Sequence, residues 1–85
     1  MALEPQLSSD AVKYIKALDQ PTRKRIADKI SELAADPFNI RVSKPLKNSD
    51  KRTARVGSYR ILFIVLEKVL LVSDVGPRNQ IYRKA

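Results

Sequence analysis

Residues 52–82 read R-T-A-R-V-G-S-Y-R-I-L-F-I-V-L-E-K-V-L-L-V-S-D-V-G-P-R-N-Q-I-Y and contain the longest apolar runs of the chain. Two runs rich in β-branched and large apolar side chains, residues 61–66 and 69–72, are separated by Glu67 and Lys68. Strand-forming runs around a two-residue polar break predict an antiparallel β-hairpin. The predicted strands cover residues 59–66 and 69–75, and a Gly-Pro pair is expected to end the second strand.

Shorter alternating segments flank this hairpin on both sides. Residues 51–56 place Ala54 and Val56 on one side and basic or polar residues on the other, and a Gly-Ser turn joins them to the hairpin. Residues 78–82 alternate in the same way, with Ile81 inward. Such alternation is typical of strands with one buried face. The side chains expected on the exposed face are Lys51, Thr53, Arg55, Arg78, Gln80 and Tyr82.

The first half of the chain shows the pattern of one short strand and two helices. Residues 3–7 contain Pro5, which restricts them to an edge strand. Residues 8–10, Ser-Ser-Asp, offer N-caps for a first amphipathic helix, and Pro21 suits the first turn of a second one. An Asp-Pro pair ends the second helix. Residues 38–50 have no period and predict a mostly irregular connection.

Together these elements predict an α+β fold in a single domain of residues 1–85. The predicted order is β-α-α-β-β-β, with a further strand at the end. The two helices are expected to form a hairpin packed on one face of a small, mostly antiparallel, twisted sheet. Because strands adjacent in sequence usually pair, the C-terminal strands are expected to form a meander whose other face stays open.

The composition narrows the chemistry that the chain can perform. It contains no cysteine and no histidine, so it has no disulfides, no thiolate metal site and no histidine acid or base. No apolar run approaches the ~18 residues of a membrane span. The N-terminal residues show neither the basic nor the apolar region of a secretory signal.

The excess positive charge lies in the second half of the chain. The net charge is +8. Residues 1–36 contain six basic and six acidic residues, whereas residues 37–85 contain eleven basic and three acidic ones. Such an excess points to a polyanionic partner, which is RNA, DNA, an acidic protein or an anionic membrane surface.

A cluster of Lys, Arg and Tyr is able to cleave RNA without histidine or metal. The ribose 2′-hydroxyl attacks the adjacent phosphorus, and the step needs a base, stabilisation of the phosphoryl oxygens and an acid for the leaving oxygen. A lysine among other cations has a lowered pKa and can act as the base, and arginine binds phosphate through two hydrogen bonds. Because basic faces that only bind RNA outnumber those that cut it, composition alone leaves binding and cleavage open.

Several motifs of the chain resemble the RelE/ParE superfamily of bacterial toxins. The strongest is R-V-G-S-Y-R-I-L-F at residues 55–63, followed by an apolar strand, V-G-P-R at 75–78 and I-Y at 81–82. The helical hairpin that ends in Asp36 and Pro37 is similar as well, and so is K-P-L at residues 44–46. The resemblance spans nearly the whole chain, and the fold that it implies is the one predicted above.

Resemblance to the RelE-like branch implies a ribosome-dependent mRNA interferase. Such an endonuclease cuts mRNA in the ribosomal A site by attack of the 2′-hydroxyl, without a metal or other cofactor, and inhibits translation. Arg60 would stabilise phosphate charge, Arg78 would contact phosphate or assist the leaving group, and Tyr82 would stack on or orient the nucleotide. Lys51 matches the first of two catalytic lysines.

One expected cation is missing from this pattern. Thr53 stands where the second basic residue of the catalytic strand is usual, and Arg55 is expected to replace it in part. The basic residues expected to contact RNA or the ribosome are Lys44, Lys47, Arg52, Arg55, Arg83 and Lys84.

The same resemblance implies partners and a compartment. A RelB-like antitoxin, acidic where it meets the toxin, would hold the protein inactive and connect it to operator DNA. The antitoxin would add a strand to the sheet or lay a helix on the surface. The ribosome and its mRNA would be the targets, without membrane contact, in the cytoplasm of a bacterial or archaeal cell.

Two other functions stay open at the level of sequence. A ParE-like toxin would inhibit DNA gyrase, and the Tyr-Arg pair at residues 59–60 is common to both branches. A non-catalytic nucleic-acid-binding module would need only the positive charge. The candidate residues also have plainer interpretations, in which Arg60 pairs with Asp74 and Tyr82 is a rim aromatic. The cations Lys51, Arg52 and Arg55 would then form a solvated strand edge.

Overall fold

The computed structural model describes residues 2–47 and 49–77, which form two helices and five strands. Their bounds are β1 (Glu4–Leu7), α1 (Ser9–Lys16), α2 (Gln20–Ala35), β2 (Lys44–Pro45), β3 (Arg52–Val56), β4 (Tyr59–Leu66) and β5 (Val69–Pro77). The predicted α+β class is confirmed, and the described elements follow the predicted order with one additional strand, β2. The additional strand predicted over residues 78–82 lies outside the described residues.

Both helices begin at side-chain caps. The Ser8 hydroxyl accepts a hydrogen bond from the Ala11 amide at 3.1 Å and donates one to the Ser73 carbonyl of β5 at 2.6 Å. Asp19 accepts hydrogen bonds from the backbone amide and the hydroxyl of Thr22 at 3.3 and 2.7 Å. The hydroxyl bond is the main reason that the pKa of the Asp19 carboxyl is lowered. Each cap satisfies an amide that the first helical turn leaves unpaired.

The sheet has the strand order β1-β5-β4-β3-β2. Strands β2 to β5 pair antiparallel with their sequence neighbours, which confirms the predicted meander. Strand β1 adds to the far side of the meander, parallel to β5, with Gln6 opposite Leu71. The two outermost strands each contain a proline, Pro5 on β1 and Pro45 on β2.

Two strand boundaries differ from the sequence prediction. Strand β5 continues to Pro77, with Gly76 opposite Arg60 and Pro77 opposite Tyr59, so the Gly-Pro pair does not break it. Strand β2 lies inside the segment predicted to be irregular, because a strand of only two residues cannot show an alternating pattern.

Two-residue turns connect β3 to β4 and β4 to β5. Gly57 begins the first turn with a φ of +58°, which glycine adopts without strain. A Cβ atom at Gly57 would also approach Nη2 of Arg25 on α2 to 3.2 Å. Glu67 begins the second turn with a φ of +49°, a conformation that is unfavourable for a residue with a Cβ atom.

The helices pack on one face of the sheet, here called the helix face. This face and the helices share a core of Ala11, Ile26, Ile30, Leu33, Ala34, Ala54, Val56, Ile61, Phe63, Leu70, Val72 and Val75. Tyr14 of α1 extends the contact by meeting Tyr59 edge to face, with 6.3 Å between the ring centroids. Burial, and then the nearby Tyr59 phenol, raises the pKa of Tyr14. The packing of the two helices on one face is therefore as predicted.

The second face, on the opposite side of the sheet, is not open at its centre. Thr53, Arg60 and Leu62 alternate with core residues of the helix face, yet only 1%, 7% and 0% of their surfaces are exposed. The expectation of an uncovered face is therefore wrong at this point. Residues 40–44 and the long side chains of adjacent strands surround the space above Thr53 and Arg60.

Candidate anion-binding site

Three adjacent strands place polar and basic residues side by side on the second face. Arg55 on β3 lies directly opposite Arg60 on β4, and Lys44 on β2 lies directly opposite Thr53 on β3. Opposed residues in an antiparallel pair project their side chains to the same face. The register of the sheet therefore collects these four residues at one place.

The four residues line a cavity of about 130 Å³. Its basic residues are Arg41, Lys44, Arg55 and Arg60, and Thr53 contributes a hydroxyl. The rest of the lining is Ile40, Val42 and Ser43, from the connection that follows α2. None of the described residues that line the cavity is acidic. A lining that holds four cations gives the cavity a positive potential that attracts an anion.

Arg60 is the most buried cation of this cavity. Only 7% of its surface is exposed, whereas Arg41, Lys44 and Arg55 are exposed. A guanidinium is rarely buried without contacts that hold it in place, because its desolvation is unfavourable. The site therefore combines one buried guanidinium with three exposed cations.

Thr53 is unusual because its hydroxyl is buried without a partner. Its residue surface is 1% exposed, and Oγ1 has no hydrogen-bond partner in the described part of the chain. Buried hydroxyls nearly always have a partner, and one that lacks it destabilises a protein by about 1–3 kcal/mol. In the sequence analysis, Thr53 was notable only because it stands where a second basic residue is usual. The structure shows an unsatisfied donor beside four positive charges.

Two of the predicted basic residues lie outside the cavity lining. Lys51 precedes β3 and is half-buried, and its carbonyl accepts a hydrogen bond from the Leu46 amide at 3.0 Å. Lys47 is exposed in the turn before β3. Neither side chain lines the cavity. The catalytic role of Lys51 and the RNA contact of Lys47 stay predictions.

Arg52 makes contacts that anchor the chain after α2 to the sheet. Its Nε donates to the Ser43 hydroxyl at 3.1 Å, and its Nη2 donates to the Ser43 carbonyl at 3.5 Å. Its guanidinium carbon lies 5.1 Å from the centroid of the Phe38 ring. Because Arg52 is paired with Phe63, it belongs to the helix face rather than to the face of Arg60. Its predicted contact with RNA stays a prediction beside this structural role.

Sequence reasoning named four site residues that lie outside the described residues, namely Arg78, Tyr82, Arg83 and Lys84. It also missed four residues of the cavity lining, which are Ile40, Arg41, Val42 and Ser43. The Ile40 side chain is the most exposed of them, with 90% of its surface accessible. The only sequence signal for Arg41 is the excess of basic residues after residue 36.

The described residues offer a narrow set of chemical groups. Across residues 2–47 and 49–77, no three His, Cys, Asp or Glu side chains are grouped so that they could hold a metal ion. No helix in this part of the chain is long and apolar enough to cross a membrane. The groups that the cavity presents are therefore ammonium, guanidinium and hydroxyl donors.

Comparison with known proteins identifies the family of the chain. The family model for the ParE toxin of type II toxin–antitoxin systems matches residues 6–82, nearly the entire sequence. The chain belongs to the ParE toxin family. The resemblance to the RelE/ParE superfamily is thereby confirmed, and this ParE-family protein is a toxin of a type II toxin–antitoxin system.

The toxin also resembles solved structures of RelE proteins. The RelB–RelE antitoxin–toxin complex from Methanococcus jannaschii is 27% identical with a TM-score of 0.72, covering 92% of this chain and 95% of that one. The intact E. coli RelBE toxin–antitoxin complex is 25% identical with a TM-score of 0.76, covering 89% and 96%. The RelBE2 toxin–antitoxin complex from Mycobacterium tuberculosis is 20% identical with a TM-score of 0.80, covering 92% and 100%. No curated protein matches the sequence.

Proposed function

We propose that this toxin is a metal-independent endoribonuclease that cleaves ribosome-bound mRNA in the A site and so inhibits translation. The observation that carries the proposal is the cavity around Arg60, where β2, β3 and β4 gather cations and none of the described lining residues is acidic. A phosphodiester is the anion that such a cavity suits. The positive charge of the lining residues disfavours binding of a metal cation such as Mg²⁺ in the cavity.

The reaction transfers the phosphoryl group within the RNA chain. The 2′-oxygen forms a bond to phosphorus while the bond from phosphorus to the 5′-oxygen breaks. The proton of the 2′-hydroxyl passes to a base, and the 5′-oxygen receives a proton, which leaves a 2′,3′-cyclic phosphate and a free 5′-hydroxyl. Charge accumulates on the phosphoryl oxygens in the transition state. The buried Arg60 guanidinium is suited to stabilise this charge because its position is fixed before the substrate arrives.

The other catalytic roles follow from the resemblance to RelE-like toxins. Lys51 contributes the lysine of the catalytic strand, Arg78 contacts the phosphate or assists the leaving group, and Tyr82 stacks on or orients the nucleotide. The further contacts with RNA or the ribosome come from Lys44, Lys47, Arg52, Arg55, Arg83 and Lys84. No cofactor takes part.

The proposal includes the partners of the toxin. The three structures compared above are toxin–antitoxin complexes, which supports a RelB-like antitoxin as the neutralising partner. An antitoxin that is acidic where it meets the cavity would complement the positive charge of its lining. The antitoxin would also connect the toxin to operator DNA. The toxin would act in the cytoplasm, where the antitoxin and the ribosome are located.

The direct test of the nuclease uses ribosomes programmed with a defined mRNA, with the cut ends mapped by primer extension. The wild-type toxin should cut within the A-site codon, and Arg60→Ala should slow cleavage by about 10²–10³-fold because a transition-state contact is lost. Arg23→Ala removes an equal charge from the exposed surface of α2 and should cleave at the wild-type rate. Intact mRNA in the presence of a wild-type toxin that still arrests growth would exclude the nuclease.

The family match supports a second candidate, inhibition of DNA gyrase through protein contact. In this case the toxin would stop supercoiling by purified gyrase, and expression in cells would induce a DNA damage response while mRNA stays intact. A toxin that cleaves mRNA and leaves supercoiling unchanged would exclude this candidate.

A further inference from the structure

We infer that Lys44 and Thr53 together form a phosphate-binding subsite, in which the ammonium of Lys44 replaces the cation that strand β3 lacks. The ligand is a phosphodiester of single-stranded RNA. The inference rests on the proposed function because that function identifies RNA as the source of the phosphodiester. Its physical basis is independent of the reaction, because it concerns only which groups bind the anion.

The sheet brings these two residues together although they lie on different strands. Lys44 on β2 is directly opposite Thr53 on β3. The Cβ atoms of such cross-strand pairs are about 4.5–5.5 Å apart, and a lysine side chain is longer than this separation. Both residues line the cavity. A cation on β2 is therefore able to occupy the space that a longer basic side chain at position 53 would have reached.

The Lys44 ammonium is available for an anion. Lys44 is exposed, and within residues 2–47 and 49–77 its side chain makes no hydrogen bond and no ion pair. Arg55, the replacement expected from the sequence, is placed differently. It lies opposite Arg60, and its Nε donates to the Gly57 carbonyl at 3.2 Å. Lys44 is thus the better substitute for the missing cation.

The hydroxyl of Thr53 supplies the second, independent observation. It is buried and lacks a partner among the described residues, and it lies at a cavity that four cations line. Valine has nearly the same shape as threonine and would fill this position without an unsatisfied donor. Threonine at this position therefore lowers stability, and this cost is offset when the hydroxyl donates to a phosphate oxygen. The exposed side chains that line the cavity would move aside to admit that oxygen.

The first experiment measures binding without cleavage. The probe is a fluorescent RNA oligonucleotide with 2′-O-methyl ribose, which cannot undergo attack by the 2′-oxygen, and binding is followed by anisotropy. Lys44→Ala should weaken binding by about 10- to 100-fold, the effect of a lost charged hydrogen bond. Lys44→Arg should bind nearly as well as the wild type. Lys24→Ala, an exposed lysine of α2, is the matched control and should bind like the wild type.

The second experiment separates the binding role of Thr53 from a structural one. Thr53→Val should raise the melting temperature by about 5 °C and at the same time weaken binding of the same oligonucleotide about tenfold. In a Lys44→Ala background, Thr53→Lys should restore most of the lost affinity. A Thr53→Val protein that binds like the wild type, or a Lys44→Ala protein that matches Lys24→Ala, would overturn the subsite. The binding measurements on Thr53→Val and Lys44→Ala test the subsite even where Thr53→Lys disturbs folding.

The two proposals fail in different ways. If the wild type binds the oligonucleotide through Lys44 and Thr53 but cuts no mRNA, the nuclease is wrong and the subsite stands. If the wild type cuts mRNA while Lys44→Ala and Thr53→Val bind and cut at wild-type levels, the subsite is wrong and the nuclease stands.

Discussion

At the scale of single residues, neighbouring arginines on the sheet have different roles because alternation sends them to different faces. Arg60 is buried on the second face and lines the cavity. Arg52, on the next strand, belongs to the helix face, where Ser43 and Phe38 engage its guanidinium. Charge alone does not distinguish the two arginines, whereas strand register does.

The contacts of Arg52 predict an effect on stability. Arg52→Lys should lower the free energy of unfolding by about 1–2 kcal/mol, because an ammonium cannot make two hydrogen bonds while lying over a ring. Urea denaturation measures this change. Arg55→Lys is the control, since Arg55 is exposed and should tolerate the same exchange. Equal stability of the two variants would contradict the anchoring role of Arg52, and loss of cleavage beyond the unfolded fraction would support its predicted RNA contact.

The sequence predicted some residues of the site well and others not at all. The two-residue period of β3 placed Thr53 and Arg55 on the face away from the helices, and the register confirms this. Arg41 lies within residues 38–50, which have no periodicity, so no local pattern could place it at the cavity. The burial of Thr53 also depends on residues 40–44, which line the cavity, and on the pairing of β2 with β3. No local pattern in residues 38–50 predicts this packing.

At the scale of secondary-structure elements, local signals predicted what local physics decides. Ser8, one of the predicted caps, begins α1, Pro21 lies in the first turn of α2 as predicted, and the predicted hairpin matches β4 and β5 closely. Pairings set by distant parts of the chain were not predictable in this way. Strand β1 lies parallel to β5, and its alignment depends on the whole intervening chain rather than on a turn. The continuation of β5 through Gly76 likewise depends on pairing with Arg60.

The turn between β4 and β5 carries backbone strain that substitution can relieve. Glu67 has a φ of +49°, so Glu67→Gly should raise the free energy of unfolding by about 1 kcal/mol, since a left-handed conformation is unfavourable for residues with a Cβ atom. Thermal denaturation should show an increase of about 5 °C. Lys68→Gly changes the adjacent residue, which lacks a positive φ, and should lower stability or leave it unchanged. An increase for Lys68→Gly alone would contradict this account of the turn.

At the scale of the whole molecule, charge is divided between the two sides of the sheet. The helices, within a segment with equal numbers of acids and bases, cover the helix face. The cavity with its four cations lies on the second face. This division gives the toxin one electrically balanced side and one that attracts polyanions.

The division predicts a salt dependence for RNA binding. The logarithm of the association constant should fall linearly with the logarithm of salt concentration, by about 0.7 for each phosphate that the protein neutralises on a single strand. Arg60→Ala should reduce this slope by about 0.7. Arg23→Ala should leave the slope unchanged although it removes the same charge. Titrations of an uncleavable oligonucleotide at several salt concentrations measure the slopes, and equal slopes for both variants would contradict the assignment of Arg60 to the interface.

The prolines at the two margins of the described sheet have a consequence for how the toxin behaves when it is abundant. Pro5 on β1 and Pro45 on β2 each remove one backbone donor from an outermost strand. An interrupted row of donors is a poor template for copying the strand, so crowded molecules are hindered from joining edge to edge into amyloid. The same interruption disfavours an inhibitor that adds a strand to either edge, and it favours an inhibitor that binds to the faces of the sheet.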